Sequence, residues 1–201
     1  MELAVDEKID GRRARGERAR TAVVDAILDL LQEGDLKPTA ERVAERAGVS
    51  LRLVFHHFAD FEALYAAAAD RQFERLRPLI KPIPSAGVFE HRLETFLRQR
   101  VRVWERIAPI RRASLLLEPF SKELSRRLDA ARTSAREEAA AVFRREIENF
   151  PRAAHAEVVA ALDAASAWQT WEVLRRHQHL SIESARRVTA RIITALLNSR
   201  D

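Results

Sequence analysis

The chain has 201 residues, enough to bury a core of its own, and combines 47% hydrophobic with 32% charged residues and few glycines and prolines. This composition predicts an all-α protein, and the lack of cysteine excludes disulfide frameworks, thiolate metal sites and cysteine nucleophiles. No apolar run approaches the roughly 18 residues that span a bilayer, and the first residues lack the features of a signal peptide. We therefore expect a cytoplasmic protein that does not enter the membrane.

The net charge of +5 favours a nucleic-acid partner, but its distribution does not locate a binding site. Residues 1–58 contain 10 basic and 11 acidic residues, whereas residues 59–201 contain 25 and 19. A local basic stretch precedes the first apolar-periodic segment and consists of Arg12, Arg13, Arg15, Arg18 and Arg20. We predict a flexible basic arm over residues 1–15, which is either a solvated chain end or a phosphate-binding arm.

Three helices are predicted in the first 58 residues. Apolar residues recur at helical spacing up to Leu31, and Gly34 is a suitable residue to follow the end of that helix. Thr39 is expected to cap a short second helix that ends at Gly48, and Ser50 to cap a third helix, Leu51 to Phe58. Two short helices joined by a turn that contains glycine predict a helix-turn-helix.

The rest of the chain is predicted to be helical as well. A fourth helix follows Asp60 as its N-cap, and the proline-rich stretch from Pro78 to Gly87 predicts a loop. Ser181 is the expected N-cap of the last helix. The remaining helices are predicted at about 89–107, 109–117, 119–149, 151–178 and 182–199, which makes about nine helices and no strands in total.

The third helix has a surface that suits contact with DNA. On a helical wheel Leu51, Val54 and Phe58 face the domain core. The opposite arc holds Arg52 and His56, flanked by Leu53 and Phe55, with His57 near the boundary. Apolar side chains beside an arginine are typical of major-groove readers, which use apolar atoms on thymine methyls and Arg on guanine. The alternative is that Leu53 and Phe55 pack against neighbouring helices.

The block from Thr39 to Phe58, TAERVAERAGVSLRLVFHHF, resembles the signature of the TetR family of helix-turn-helix transcriptional regulators. The shared features are the capping Thr, Val-Ala in the second helix, Gly-Val-Ser at the turn, and the aromatic, His and Phe that close the third helix. The resemblance implies a homodimer that binds double-stranded operator DNA. It implies phosphate contacts by Thr39, Ser50, Phe55 or His57, and base reading by Leu51, Arg52, Leu53 and His56.

Two departures from the family pattern affect the DNA contacts. The family usually has Thr at the position of Leu53 and Lys at the position of Phe61, so two polar contacts are missing. Loss of a Lys–phosphate pair removes roughly one unit from the salt dependence of binding. We therefore expect affinity to depend more on Arg52 and the basic arm, and the operator sequence cannot be transferred from relatives.

The family architecture implies a division into the arm at 1–15, a DNA-binding domain at 16–60, and a helical ligand-binding and dimerisation domain at 61–201. The last two helices would pair with their copies in a second subunit as a four-helix bundle. The residues expected in that interface are Val159, Leu162, Trp171, Val188, Ile192 and Leu196. The alternative is that these side chains are buried within their own subunit.

The middle helices would then enclose a pocket for a small hydrophobic or amphipathic ligand. Its expected wall is Phe96, Arg100, Trp104, Leu116, Phe120, Phe143 and Trp168. The alternative for each is an ordinary core position, since apolar residues at helical spacing usually form core. With such a ligand, the chain would be a repressor that is released from its operator.

Two other functions compete with this one. The six histidines form no metal-binding or catalytic motif, and no phosphate loop is present, so we expect neither an enzyme nor a cofactor or metal site. A DNA-binding dimer that is constitutive, or is controlled by a protein partner, is the alternative to a ligand-released repressor. A change of DNA affinity on ligand binding distinguishes the two.

Overall fold

A computed structural model describes the backbone of residues 2–199 and the side chains of residues 13–199. The first helix, α1 (Glu2–Gln32), is continuous across the predicted boundary between arm and helix at residue 15. The side chains of the predicted arm up to Arg12 lie outside the described residues. Gly34 follows α1 with φ of +96°, which confirms its role in ending the helix.

The helix-turn-helix is formed by α2 (Ala40–Ala47) and α3 (Leu51–His57), as predicted. Thr39 Oγ1 accepts a hydrogen bond from Arg42 N at 3.4 Å, and Ser50 Oγ accepts one from Leu53 N at 3.2 Å. Gly48 takes the left-handed conformation, φ +66° and ψ +31°, that lets the chain turn between the helices. All three positions were identified by their residue types alone.

The fourth helix, α4 (Phe61–Leu76), begins after Asp60, whose Oδ1 accepts a hydrogen bond from Ala63 N at 2.7 Å. A short 3-10 turn, Arg77–Leu79, follows. Residues 80–88 have no helix or strand, which confirms the predicted loop.

Residues 89–117 form one helix, α5 (Phe89–Leu117), where two had been predicted. The prediction placed Pro109 in the first turn of a separate helix, whereas it lies inside α5. Proline has no N–H to donate to the carbonyl of Glu105, so the helix continues with one hydrogen bond fewer. Packing on both sides of Pro109 offsets this loss, since Ala108 and Ala113 are buried.

The long helix predicted at 119–149 is shorter and broken. A 3-10 turn, Glu118–Phe120, precedes α6 (Lys122–Val142), and a separate turn of helix, α7 (Arg144–Ile147), follows. The break lies at Phe143, where φ is −104° and ψ is 20°. Arg92 Nη1 donates to the carbonyl of Val142 at 2.6 Å, a side-chain bond that substitutes for helical pairing at this point.

The helix predicted at 151–178 is also interrupted. It consists of α8 (His155–Ala165), α9 (Trp168–Glu172) and a π-helical turn, Val173–His177, that continues α9. Ala167 is extended between them, and the hydroxyls of Ser166 and Thr170 donate to the carbonyls of Leu162 and Ala164. These side-chain bonds satisfy helix-end carbonyls.

The last helix, α10 (Ile182–Asn198), begins where predicted, because Ser181 Oγ accepts a hydrogen bond from Ser184 N at 3.1 Å. His179, two residues before Ser181, has a positive φ of 53°. Within residues 2–199 the chain has no strand, so the all-α prediction is confirmed. None of the helices described there is sufficiently long and apolar to cross a bilayer.

The chain packs into two compact units. The first comprises Met1–Arg75 and Pro109–Arg127, and the second comprises Leu76–Ala108 and Leu128–Asp201. The core of the first unit includes Val23, Ile27, Leu31, Val43, Val54 and Leu64. The second unit has an aliphatic and phenylalanine cluster, with Leu93, Phe96, Phe143, Leu162 and Ile193, and a tryptophan cluster, with Trp104, Trp168 and Trp171.

Candidate nucleic-acid interface

Helix α3 buries one face and exposes the other. Val54 and Phe58 are 1% and 3% exposed in the core of the first unit. Arg52, Phe55 and His56 are exposed, and the side chain of Phe55 is half accessible to solvent. The alternative that Phe55 is an ordinary core residue is therefore not supported. An arginine, an aromatic ring and an imidazole lie on the free surface of one short helix.

The predicted orientation of Leu51 is wrong. It was placed on the core face of α3, but its exposed fraction is 37%. Leu51 is the first residue after the Ser50 cap, where the helix has not yet completed a turn against the core. Leu53 is half-buried, between the two faces. Both remain candidates for apolar base contacts.

His57 lies at the end of α3 and has an unusual environment. Its Nε2 atom is buried and has no hydrogen-bond partner among the side chains of residues 13–199 or the described backbone. The ring lies close to α1, since a Cβ placed on Gly16 would be 3.9 Å from His57 Cε1. The rings of His56 and His57 meet edge to face, with centroids 5.4 Å apart. A phosphate contact through the Nε2 atom of His57 would first require this nitrogen to become accessible.

One contact of the basic stretch was not predicted. The guanidinium of Arg20 lies over the ring of Phe58, 5.1 Å from its centroid. This cation–π contact connects α1 to Phe58, the C-cap residue of α3. Arg20 stood in the sequence as one of five similar arginines, and its 38-residue separation from Phe58 gave no local signal. Arg13, Arg15 and Arg18 are exposed on the same helix.

Helix α2 is held in place by two ion pairs. Arg46 binds both carboxylate oxygens of Glu33, at 2.8 and 2.6 Å, and Arg42 pairs with Asp35. The hydrogen bond from Arg46 lowers the pKa of Glu33. These arginines are thus engaged within the unit, whereas Arg52 has no ion-pair partner among residues 13–199. Arg52 is therefore free to meet an external acceptor.

The start of α4 is anchored by packing of Phe61. Phe61 packs against the core of the first unit, and its ring meets Tyr65 edge to face at 5.5 Å. Burial, with a smaller effect of Asp35, raises the pKa of Tyr65 to about 12, so the phenol stays protonated at neutral pH. Glu62 accepts a hydrogen bond from Ser121 Oγ at 2.6 Å. The carboxylate thus fixes α4 to the segment before α6.

The residues predicted to line a ligand pocket fall into two groups. Five of them are buried in the second unit: Phe96, Arg100, Trp104, Phe143 and Trp168. Leu116 and Phe120 belong to the first unit, where they are 41% and 86% exposed. Within the second unit, the ring of Phe96 meets that of Phe143 edge to face at 5.2 Å. The pocket itself stays a prediction.

The residues predicted for a dimer interface also divide. Leu162 and Trp171 are 0% and 1% exposed in the cores of the second unit, so their assignment to an interface is wrong. The family architecture indicated which helices pair but not which of their faces points outward. Ile192 is 40% exposed, and Val159, Val188 and Leu196 are half-buried. These four still lie on or near the surface of α8 and α10.

No cluster of three or more His, Asp or Glu side chains suited to a metal ion occurs in the part of the chain that the structure describes. The histidine His155 instead contacts the backbone, since its Nε2 atom lies 3.0 Å from the carbonyl oxygen of Phe150. The chemistry available at the surface of α3 is hydrogen bonding, charge and apolar contact.

Comparisons with known proteins agree with this geometry. Residues 23–68, which contain α2, α3 and the start of α4, match the model of a family described as bacterial regulatory proteins of the tetR family. A comparison with curated protein sequences finds no match.

Solved structures extend the similarity of the fold to about nine tenths of the chain. A transcriptional regulator from Rhodococcus sp. is 18% identical with a TM-score of 0.64, covering 90% of this chain and 95% of its own. A tetR-family transcriptional regulator from Streptomyces coelicolor is 19% identical with a TM-score of 0.66, covering 88% and 80%. The chain therefore has the fold of TetR-family transcriptional regulators, with a tetR-family segment at residues 23–68.

Proposed function

We propose that this chain, which has the fold of TetR-family transcriptional regulators, is a cytoplasmic homodimeric repressor that binds operator DNA through α3 and is released by a small ligand. The observation that carries the DNA-binding part is the exposed face of α3. It presents Arg52, Phe55 and His56 to solvent, while Val54 and Phe58 fix the helix in the core. An Arg that reads guanine and an apolar ring that meets a thymine methyl are common major-groove contacts.

The caps of the two short helices support phosphate binding next to that face. Thr39 and Ser50 are exposed at the N-termini of α2 and α3, where unpaired backbone N–H groups and the helix dipole favour an anion. Each hydroxyl already accepts one backbone hydrogen bond, and that of Thr39 also bonds to the carboxylate of Glu41, so the Ser50 hydroxyl is the one with a proton to donate to a phosphate oxygen. Phosphate contacts at these caps would set the depth of α3 in the groove.

A homodimer is supported by the outer surface of α8 and α10. The exposed Ile192 and the half-buried Val188 and Leu196 form an apolar strip along α10. Exposed alanines on α8, Ala156, Ala160 and Ala164, would let a second backbone approach closely. Two recognition helices about 34 Å apart are what successive major grooves require.

Selection of bound sequences from a random duplex library tests this proposal. We expect enrichment of one half-site in two inverted copies, with centres about 10 base pairs apart or a multiple of that spacing. Recovery of a single half-site would contradict the dimeric reading. Recovery of no preferred sequence by a folded protein would contradict sequence-specific DNA binding altogether.

A regulator controlled by a protein partner is the second candidate, and one observation favours it. Phe120 is 86% exposed, with Leu115 and Leu116 exposed at the end of α5 in the same unit. Exposed apolar patches are frequent sites of protein association.

A ligand that binds the second unit should weaken operator binding by about 5- to 150-fold in the favoured proposal. No change of operator affinity on ligand binding would favour the protein-partner reading.

A further inference from the structure

The two tryptophans of α9 differ in the partners of their indole N–H groups. Trp171 Nε1 donates to Glu105 Oε1 at 2.8 Å, and its ring stacks on Trp104 with centroids 5.1 Å apart. Trp168 is 6% exposed, and its Nε1 atom is buried without a hydrogen-bond partner in the part of the chain that the structure describes. Buried donors without an acceptor are rare in folded proteins, because lost hydration is not replaced. Trp168 therefore holds an unused donor inside the second unit.

A second unused donor lies on α5. Arg100 is 8% exposed, and its Nε atom is buried without a hydrogen-bond partner among the described residues. Its Nη2 atom donates to the carbonyl of Ala135 at 2.6 Å and lies 3.0 Å from Glu138 Oε2. Nη2 of Arg100 is thus paired, whereas no acceptor among the described residues binds Nε. Arg100 was one of the residues expected to line a ligand pocket.

Arg92, a second buried arginine of α5, donates hydrogen bonds from all three of its guanidinium nitrogens. Arg92 is 3% exposed, and its Nε donates to the carbonyl of Gly87. Its two terminal nitrogens bind the carbonyl of Val142 and both carboxylate oxygens of Glu146. Burial of an arginine in this unit is therefore compatible with complete hydrogen bonding. The free Nε of Arg100 is specific to its own surroundings.

The two unused donors have the same aromatic neighbour. Trp104 follows Arg100 by one helical turn of α5, so both side chains lie on one face. Trp104 also lies in the buried cluster that contains Trp168. On the other side of Arg100, the ring of Phe96 lies 4.9 Å beneath its guanidinium. Trp104 thus links the two donors, since it lies one turn from Arg100 on α5 and shares a buried cluster with Trp168.

The charges around Arg100 are already balanced. Glu138 pairs with Arg100, and Asp163, the other carboxylate that acts on it, is bound by Arg136 at 2.8 Å. Burial lowers the pKa of Arg100, and both carboxylates oppose that shift. A ligand carboxylate would add a buried negative charge with no free cation to match it, which is costly. A neutral oxygen would accept the hydrogen bonds without that cost.

We propose that the second unit binds an uncharged, flat aromatic molecule that carries carbonyl or similar neutral oxygen acceptors. Arg100 Nε and Trp168 Nε1 donate to those oxygens, and Trp104 and Phe96 supply aromatic contact. This inference rests on the proposed function for the existence of a small-molecule ligand, and it specifies the ligand's chemical class.

Three probes of similar size test the proposal by calorimetry on the full chain. Coumarin carries a neutral lactone carbonyl, naphthalene has no acceptor, and coumarin-3-carboxylate adds a negative charge. We expect coumarin to bind most tightly. Trp168→Phe and Arg100→Lys should each weaken coumarin binding by about 3- to 30-fold, as for the loss of one hydrogen bond, and leave naphthalene binding unchanged. Trp171→Phe, whose indole is already paired, should leave the preference for coumarin over naphthalene intact.

A spectroscopic measurement on the wild-type chain observes the indole donors directly, and Trp168→Phe serves there only to assign one signal. The chain has three tryptophans, so its ¹H–¹⁵N spectrum contains three indole N–H signals. Coumarin should shift downfield the signal that is missing from the Trp168→Phe spectrum. Tighter binding of the carboxylate or of naphthalene, a shift confined to another indole, or no binding of any probe would overturn the proposal. Coumarin that binds as expected but leaves operator affinity unchanged would support the ligand class and contradict ligand-released repression.

Discussion

The helix-turn-helix and the second unit use their polar side chains in opposite ways. In residues 39–58 the polar groups cap helices at the surface, and Arg52 is exposed, with no ion-pair partner among residues 13–199. In the second unit, Arg92 and Arg100 are buried and bind carbonyls and carboxylates from distant parts of the chain. The first region thus exposes Thr39, Ser50 and Arg52 to solvent. The second pairs its buried arginines with acceptors inside the same unit.

The largest effect should come from the buried arginine of the second unit. Arg92→Ala leaves Glu146, whose side chain is 14% exposed, without its cation, and leaves the Val142 carbonyl unpaired. We expect a loss of about 3–5 kcal/mol in the free energy of unfolding, the usual cost of breaking a buried ion pair from one side. Urea denaturation measures it.

A matched control lies on the same helix. Arg98 pairs with Glu94 at 3.7 Å on the surface, with both side chains about half exposed. Arg98→Ala should cost less than about 1 kcal/mol, as exposed pairs do. Equal losses for Arg92→Ala and Arg98→Ala would remove the contrast between a buried network and a solvated surface.

A smaller effect is expected at the turn of the helix-turn-helix. Gly48 has φ of +66°, so Gly48→Ala should lower the free energy of unfolding by about 1–2 kcal/mol through backbone strain, although a Cβ there meets no atom within 4 Å. Gly16→Ala is the control, because Gly16 lies inside α1 and its added Cβ meets only His57 at ordinary contact distance. That change should raise stability by roughly 0.5–1 kcal/mol. Changes of the same sign in urea denaturation would show that backbone conformation is not what distinguishes the two sites.

The same contrast explains what the sequence could predict. The caps Thr39, Ser50, Asp60 and Ser181 act on backbone N–H groups within three residues, so residue type and position identified all four. The face of α3 followed from helical periodicity, except at Leu51 in its first turn. Local chemistry was sufficient wherever the bonds are local.

The second unit depended on contacts that sequence spacing does not show. The break at Phe143 accompanies a bond from Arg92, 50 residues earlier in the chain. Leu162 and Trp171 were assigned to a dimer interface because the family architecture implies pairing of the last two helices, and both are core residues. Pro109 was read as a helix start, although packing keeps α5 continuous. Each of these required knowledge of which distant segment packs there.

The most direct test of the central claim compares operator and random DNA. The enriched duplex and a random duplex of equal length are titrated with the wild-type chain, with Arg52→Ala, and with Arg46→Ala, whose guanidinium is engaged by Glu33. Arg52→Ala should weaken operator binding by about 1–3 kcal/mol and leave random-duplex binding nearly unchanged, because a bidentate Arg–guanine contact discriminates between bases. Arg46→Ala should change the preference for operator little. Equal loss on both duplexes would make Arg52 a phosphate contact and contradict base reading by the exposed face of α3.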